Sequence, residues 1–217
     1  MSVSEAPFES AHISDLDAIP GPGSLVWRPV RRRFGIEAFG MNAYTAEQAG
    51  QDIVEDHTEE TYRHQEVYFV AEGHATFTVA DEEIDAPAGT FVFIRDPTVR
   101  RHAVAREAGS TVIAVGGRPG EPFKESAWEY SFAARPYLDA GEYDRAVEVA
   151  SEGLARHPDD PGLVYNVACY EALAGRREDA LAHLHQAYDL APDKVRRWAK
   201  DDSDLDSIRA DAPFLPG

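Results

Sequence analysis

Histidine and glutamate side chains are the strongest candidates for chemistry in this sequence, and several of them lie close to one another. His57, Glu59, His64 and Glu66 fall within one ten-residue stretch, and His102 follows later in the chain. Imidazole nitrogens and carboxylate oxygens can bind divalent transition metals or transfer protons. The same side chains can also be ordinary hydrogen-bonded residues, so residue type alone leaves both interpretations open.

Strand geometry determines which of these side chains can point the same way. Successive residues of a strand face opposite sides of a sheet, so His64 shares a face with Glu66 if the strand already runs there. By the same rule, His102 shares a face with Arg100. Neighbours in sequence seldom supply enough ligands for a metal, so a site requires these two segments to converge.

Other kinds of site have little support in the sequence. It contains no nucleophile–base arrangement, no phosphate-binding loop and no nucleotide-binding fingerprint. The single cysteine, Cys169, excludes an internal disulfide and a cysteine-based zinc site. The net charge of −18 argues against nucleic-acid binding, and no apolar stretch approaches the roughly 18 residues that a membrane span needs. We therefore expect a cytoplasmic protein that contacts neither nucleic acid nor membrane.

Short apolar runs separated by turns fill the first half of the chain. Residues 1–24 are rich in Ser, Pro, Gly and acidic residues, and we predict a flexible N-terminal arm. Residues 25–120 alternate short runs of Val, Ile, Phe and Tyr with turns, which is typical of a β-barrel or sandwich. The predicted strands are Leu25–Val30, Ile36–Tyr44, Asp52–Glu55, Glu66–Ala71, Ala75–Val79, Thr90–Ile94, Arg100–Ala105 and Thr111–Val115.

The pattern becomes helical after a Pro/Gly-rich joint at residues 116–122. Within residues 121–217, the segment 141–146 is matched by the segment 175–180, which is 34 residues later. This period and its helix–turn–helix punctuation resemble the tetratricopeptide repeat. The resemblance implies an all-α array with a C-terminal cap, in which Pro136 should kink or shorten the first helix. Its concave face, on which a protein partner could bind, would present Tyr165, Cys169, Ala172 and Leu173.

The β segment carries a first motif that resembles that of the cupin family. In cupins a glycine precedes a His-x-His pair, and a glutamate and a second glycine follow. Here Gly50, His57, Glu66 and Gly73 keep that order, with six residues between the last two. Glu59 stands where the family has its second histidine.

A second cupin-like motif follows the first. Residues 87–89 read Pro-Ala-Gly and precede a hydrophobic strand, a turn and another strand. Strict counting places Arg100 where the family has its last histidine. The two motifs imply an all-β, cupin-like barrel of the jelly-roll type.

The cupin resemblance implies a metal site of three imidazoles and one carboxylate inside the barrel. The metal would be iron, manganese, nickel or zinc. A barrel without metal, in which these histidines lie at the mouth or in the core, is the alternative. The candidate ligands are His57, His64, Glu66 and His102, with Glu59 as a replacement.

Aromatic residues of the same strands are candidates for a ligand pocket. Aromatic residues at a spacing of two more often fill a core than line a cage, because protein interiors are normally filled. The candidate pocket residues are Tyr44, Tyr68, Phe77, Phe91, Phe93 and Arg100.

Three functions are compatible with these observations. The first is a small-molecule-binding cupin domain, which could also bind a metal, coupled to a tetratricopeptide-like module for protein interaction or packing; it would act as a sensor or accessory protein. The second is a metal-dependent enzyme of the dioxygenase or isomerase type. The third is a non-catalytic scaffold with a filled barrel. We also expect a homodimer, because the apolar strand around Trp27 could pair at a sheet edge.

Overall fold

The computed structural model of the chain describes residues 10–21 and 23–214, which divide into two compact units between Glu125 and Ser126. The first unit is made mainly of strands and the second of helices. None of the helices in these residues has the length and apolar character that a membrane span requires.

The first unit contains ten strands, one 3-10 turn at Ile13–Asp15 and one short α-helix among the described residues. The strands are β1 (Ile19–Pro20), β2 (Val26–Arg28), β3 (Gly40–Thr45), β4 (Asp52–His57), β5 (Gln65–Glu72), β6 (His74–Val79), β7 (Glu82–Pro87), β8 (Phe91–Ile94), β9 (Arg101–Ala105) and β10 (Thr111–Gly117), and the helix is α1 (Val30–Phe34).

These strands form two antiparallel sheets that enclose one hydrophobic core. The six-stranded sheet has the order β1-β2-β3-β10-β5-β8, and the four-stranded sheet has the order β4-β9-β6-β7. Both sheets contribute inward side chains, among them Tyr68 and Val112 from the first and Ile53 and Phe77 from the second. The prediction of a sheet-rich first unit is therefore confirmed.

Two elements within residues 25–120 were not predicted from the sequence. Strand β7 lies at the edge of the four-stranded sheet, where only Ala86 of its six residues is buried. Its polar sequence therefore lacks the apolar alternation that marks a half-buried strand. Helix α1 ends at Gly35, whose φ of 63° is left-handed, and it follows directly after β2.

The predicted N-terminal arm is only partly described, because residues 1–9 and Pro22 lie outside the described residues. Its described part differs from a loose arm. Leu16 and Ile19 are buried, and β1 pairs with β2 in antiparallel register. Two apolar side chains in an otherwise polar stretch are enough to hold this segment against the sheet.

The second unit contains five α-helices among the described residues. Helix α5 begins 34 residues after α3, as the sequence repeat does. Helix α2 continues past Pro136 to Asp139, so of the two predicted effects, a kink or a shortening, the helix does not end at that residue. The helices are α2 (Trp128–Asp139), α3 (Tyr143–Leu154), α4 (Pro161–Leu173), α5 (Arg177–Leu190) and α6 (Pro192–Ala199), and 3-10 turns follow at Ser203–Leu205 and Arg209–Asp211.

The face of α4 that the sequence analysis predicted as a docking surface is covered by the chain itself. Tyr165 and Cys169 are 4% and 2% exposed. The hydroxyl of Tyr165 donates to Asp202 Oδ2 at 2.7 Å. Leu205 and Ile208 join the same core cluster as α4. The polar C-terminal segment therefore contributes two apolar side chains, which bury a face that the repeat pattern alone leaves open.

A buried ion pair in the second unit predicts a pH-dependent stability. His183 Nδ1 lies 2.7 Å from Glu171 Oε2, and Glu171 is 4% exposed. The hydrogen bond with Glu171 raises the pKa of His183 above its ordinary value. The pair therefore stabilises the fold fully below the unfolded histidine pKa of about 6.5, and this contribution is lost as the pH rises through the higher folded pKa.

We expect His183→Ala to lower the free energy of unfolding by roughly 1–3 kcal/mol at pH 6, because it leaves a buried carboxylate unpaired. The loss should be smaller at pH 9. Urea unfolding at both pH values measures it. His185→Ala is the control, since His185 is exposed and its contacts are with the carbonyl of Leu181 and the ring of Phe214 rather than with a buried carboxylate. Equal losses at the two pH values would contradict the assignment.

Candidate functional site

A group of polar side chains lies at one end of the β unit, where three strands meet the loops. His57 ends β4, Glu66 is the second residue of β5, and Arg101 begins β9. His57 and Arg101 are directly opposite each other in the antiparallel pair of β4 and β9. Glu66 lies between Gly116 of β10 and Ile94 of β8. Side chains from separate parts of the chain therefore converge here.

The ring of His57 is held in one orientation by its own backbone. Its Nδ1 lies 2.7 Å from the carbonyl oxygen of Glu55, to which it donates. The other nitrogen, Nε2, therefore carries the free lone pair of the neutral ring. It lies 3.8 Å from Glu59 Oε1 and 3.8 Å from Glu66 Oε2. These distances are too long for direct hydrogen bonds.

One ligand atom from each of His57, Glu59 and Glu66 lies within 4.8 Å of the other two. Burial alone would lower the pKa of His57, but its interactions with Glu66 and with the carbonyl of Glu55 raise it above the ordinary value. The surroundings of the ring therefore favour positive charge. Two carboxylates and one imidazole, in surroundings that favour positive charge, can bind a divalent cation.

Glu66 is the most heavily contacted member of the group. The hydroxyl of Tyr68 donates to Glu66 Oε2 at 2.6 Å, and Arg101 Nη2 lies 3.1 Å from the same oxygen. Burial would raise the pKa of Glu66, but the interactions with His57, Tyr68 and Arg101 outweigh it and keep the pKa below the ordinary value. Burial and the neighbouring carboxylate raise the pKa of Tyr68 well above 10, so its phenol stays protonated as a donor.

Glu59 and His64 lie on the loop between β4 and β5. The backbone N–H of Glu59 donates to the carbonyl of Pro97 at 2.9 Å, which fixes this loop against the one between β8 and β9. Glu59 Oε2 is buried and makes no hydrogen bond with the described residues, although His64 Nδ1 lies 3.3 Å away. His64 stacks on Tyr62 and lies beyond Glu59, outside the group of three.

Arg101 is the functional candidate that sequence reasoning missed. It is fully buried, and its Nη1 donates to the carbonyl of Val99 at 3.0 Å. Its Nε and Nη2 make no hydrogen bond with the described residues. The alternation of Arg101, Ala103 and Ala105 with His102 and Val104 is the only signal in the sequence. That signal is weak, because both faces contain an apolar residue.

The structure does not bring His102 to this group, so the prediction that it shares the site is wrong. Its Nε2 lies 2.9 Å from Asp52 Oδ1 on the other face of β9. Arg100 is exposed and makes two hydrogen bonds to Asp56, at 2.6 and 2.7 Å. Motif counting placed Arg100 inward, whereas the strand register places the next residue there.

The six predicted pocket residues do not line a common pocket. Tyr68 and Phe77 are 2% and 0% exposed and fill the core. Tyr44 is partly buried against that core. Phe91 and Phe93 are 67% and 51% exposed on the outer face of the edge strand β8, so their assignment to a pocket is wrong, as is that of Arg100.

An open cleft lies beside the polar group, within the first unit. Its volume is about 550 Å³. The loop carrying Pro97 belongs to its wall, and the carbonyl of Pro97 also faces Arg101 Nη1 at 3.4 Å. The cleft and the polar group are therefore joined through one loop. The lining residues are Glu60, Arg63, Gln65, Arg95, Asp96, Pro97, Thr98, Arg118, Pro119 and Glu121.

Comparison with known proteins adds likenesses only among solved structures. No protein-family model matches the chain, and no curated protein does. A cupin protein from Bacteroides fragilis is 15% identical, with 56% of this chain and 92% of that chain covered and a TM-score of 0.39. A sugar phosphate isomerase from a cupin superfamily, from Silicibacter pomeroyi, is 16% identical, with 55% and 83% covered and a TM-score of 0.43.

KdgF from Halomonas sp. is likewise 16% identical, with 43% of this chain and 76% of that chain covered and a TM-score of 0.36. All three TM-scores are below 0.5. The chain's own geometry shows two antiparallel sheets around a shared core, with a group of carboxylates, imidazole and guanidinium at one end.

Proposed function

We propose that the β unit is a small-molecule-binding, cupin-like domain whose ligand binds through a divalent metal held by His57, Glu59 and Glu66. The observation that supports this most directly is the convergence of three ligand atoms within 4.8 Å. Two further features agree with it. His57 is oriented with Nε2 toward the carboxylates, and Glu59 Oε2 is a buried acceptor that makes no hydrogen bond with the described residues, with His64 Nδ1 at 3.3 Å. Such a buried acceptor is costly unless something pairs with it.

The donor set indicates which metals fit. Two carboxylates and one imidazole are harder than the three-imidazole set that the sequence implied, so manganese or iron is favoured over nickel or zinc. A bound divalent metal would polarise an oxygen atom of the ligand as a Lewis acid. Tyr68 and Arg101 hold Glu66 in place through its Oε2 atom. The carbonyl of Glu55 keeps the His57 ring turned toward the site.

The second unit is a helical module, which we propose to be tetratricopeptide-like. The matching 34-residue offset between the starts of α3 and α5 supports this. Because its own C-terminal segment covers the face of α4, we favour a packing role over an open peptide groove. A homodimer stays a prediction, but the strand on which it was based is not available as a surface, since Trp27 is 1% exposed. The whole protein would act as a sensor or accessory protein.

Metal binding is tested with purified protein that has been stripped with a chelator and then titrated with Mn²⁺. Wild-type protein should bind one ion. His57→Ala should weaken binding at least about 100-fold, because removal of a ligand should exceed the 10–100-fold effect typical of outer-shell partners. Calorimetry and metal analysis after desalting measure both quantities.

His102→Ala is the matched control, since His102 contacts Asp52 on the other face of the sheet. It should bind Mn²⁺ like the wild type. If wild-type protein retains no manganese, iron, nickel or zinc, the metal proposal fails. The filled scaffold is then the better description, because Tyr68 and Phe77 already occupy the core. The metal-dependent enzyme alternative fails in the same case.

A further inference from the structure

We propose that the small molecule bound by the β unit carries a carboxylate group, and that the buried guanidinium of Arg101 receives it beside the metal. This inference rests on the proposed function and names the class of ligand for the same site. It follows from unpaired hydrogen-bond donors, from charge balance and from the shape of the guanidinium group.

The first observation concerns the hydrogen-bond donors of the Arg101 side chain. The side chain is fully buried, yet its Nε and Nη2 atoms make no hydrogen bond with the described residues. Nη2 lies 3.1 Å from Glu66 Oε2, an oxygen that already accepts a hydrogen bond from Tyr68. Buried donors are normally satisfied, because each unpaired one costs roughly 1–3 kcal/mol. An acceptor from outside the chain would satisfy both atoms.

Charge balance is the second observation. Glu59 and Glu66 together supply two negative charges, which a divalent metal would neutralise. The positive charge of Arg101 would then have no counter-charge within the group of three. Glu55 is a further carboxyl group coupled to these residues, but burial raises its pKa and so favours its neutral form. A buried charge without a partner is strongly unfavourable, so the complete site calls for one additional anion.

The shape of the guanidinium edge that carries Nε and Nη2 indicates which kind of anion fits. Nε and Nη2 lie on the same edge of the planar guanidinium, and two parallel N–H groups match the two oxygens of a carboxylate. The neighbouring residue shows this pairing within the same chain, since Arg100 donates through Nε and Nη2 to the two oxygens of Asp56. A flat carboxylate also needs less room than a tetrahedral phosphate at a residue that is fully buried.

The cleft beside the site is suited to an acid of small size. Its volume of about 550 Å³ is in the range of small-molecule sites. Three arginines line it, namely Arg63, Arg95 and Arg118, together with three carboxylates, Glu60, Asp96 and Glu121. The arginines supply hydrogen-bond donors for an anionic group of the ligand, and the Pro97 loop of this cleft also accepts from Arg101 Nη1 through its carbonyl.

The test compares glycolate with its neutral amide, glycolamide, as ligands of the Mn²⁺-loaded full chain. Calorimetry should show glycolate binding at least about tenfold more tightly than glycolamide, since only the acid can pair with the guanidinium charge. Arg101→Lys keeps the charge but loses the paired donors, and it should reduce this preference at least about threefold. Arg100→Gln, at an exposed neighbouring position, should leave the preference unchanged.

A second variant separates loss of the anion site from loss of the fold. Arg101→Gln removes the guanidinium charge and its paired donors, so the preference for glycolate should disappear, and far-ultraviolet circular dichroism shows whether the variant keeps its fold. A folded, Mn²⁺-binding Arg101→Gln protein that keeps the wild-type preference would contradict the proposal. If the wild type binds Mn²⁺ but binds both probes equally, or binds inorganic phosphate more tightly than glycolate, this proposal is wrong and the metal site stands. If the wild type binds no Mn²⁺, the proposed function fails, and this inference fails with it.

Discussion

Gly73→Ala is expected to lower the free energy of unfolding of the β unit by roughly 2–5 kcal/mol. Two costs add up at this turn between β5 and β6. The φ angle of Gly73 is +72°, and a non-glycine residue loses about 1–2 kcal/mol in that left-handed region. A Cβ at this position would also lie 2.5 Å from Ser110 Oγ and 2.7 Å from Ser110 Cα. Overpacking of this kind costs typically about 1–3 kcal/mol.

Ser110 cannot move away without breaking further contacts. It is fully buried, and its hydroxyl accepts from the N–H of His74 at 3.1 Å and lies 2.8 Å from the carbonyl of Glu107. The substitution therefore forces a shift of backbone rather than of a flexible side chain. Urea unfolding monitored by circular dichroism measures the loss.

Gly50→Ala is the matched control for the backbone angle alone. Gly50 has a φ of +83°, but a Cβ there would meet no atom within 4 Å. Its loss should therefore be limited to about 1–2 kcal/mol. If the two alanine variants are equally destabilised, the close approach of Gly73 to Ser110 contributes nothing.

Strand β5 and the glycine after it are an example of structure that could be predicted from the sequence. Eight residues of β5 and the glycine that follows it form a local unit, and a left-handed turn after a strand has a strong glycine signal. The 34-residue repeat was readable for the same reason, because it depends on residues that are near one another in the chain. Local patterns of this kind predicted most of the strands and the helical character of the second unit.

The orientation of β9 shows where such reasoning failed. A shift of one residue exchanges the two faces of a strand, so the same motif gives either Arg100 with His102 or Arg101 with Ala103 as inward residues. Motif counting favoured the former, and the structure has the latter. The sequence of β8 has a related ambiguity. Its four residues are all apolar, so nothing in them distinguishes the buried Val92 from the exposed Phe93.

Long-range packing accounts for the remaining errors. The face of α4 that carries Tyr165 and Cys169 has the apolar pattern of a surface that binds a partner. The partner is the segment near Leu205 and Ile208, which is more than 30 residues away and mostly polar. No local pattern connects these two segments, because their contact is set by the path of the chain after α6.

The ion pair between Arg101 and Glu66 should give the second large effect. In metal-free protein, Arg101→Met leaves the carboxylate of Glu66 without its cation, and Glu66→Gln leaves a fully buried guanidinium without its anion. Breaking a buried pair in this way costs about 3–5 kcal/mol. The side chain of Glu66 is 13% exposed and still accepts a hydrogen bond from the hydroxyl of Tyr68 when Arg101 is replaced. The loss of stability in Arg101→Met should therefore lie near the lower end of this range.

The double variant, Arg101→Met with Glu66→Gln, decides whether the two residues act as a pair. It removes both charges, so neither is left buried alone, and its loss should be smaller than the sum of the single losses by roughly 0.5–3 kcal/mol. Urea unfolding of the four proteins in the presence of a chelator measures this coupling without any contribution from metal. If the loss in the double variant equals the sum of the two single losses within about 0.5 kcal/mol, Arg101 does not stabilise Glu66. Its buried charge would then be held by the carbonyl groups of Pro97 and Val99 alone among the described residues.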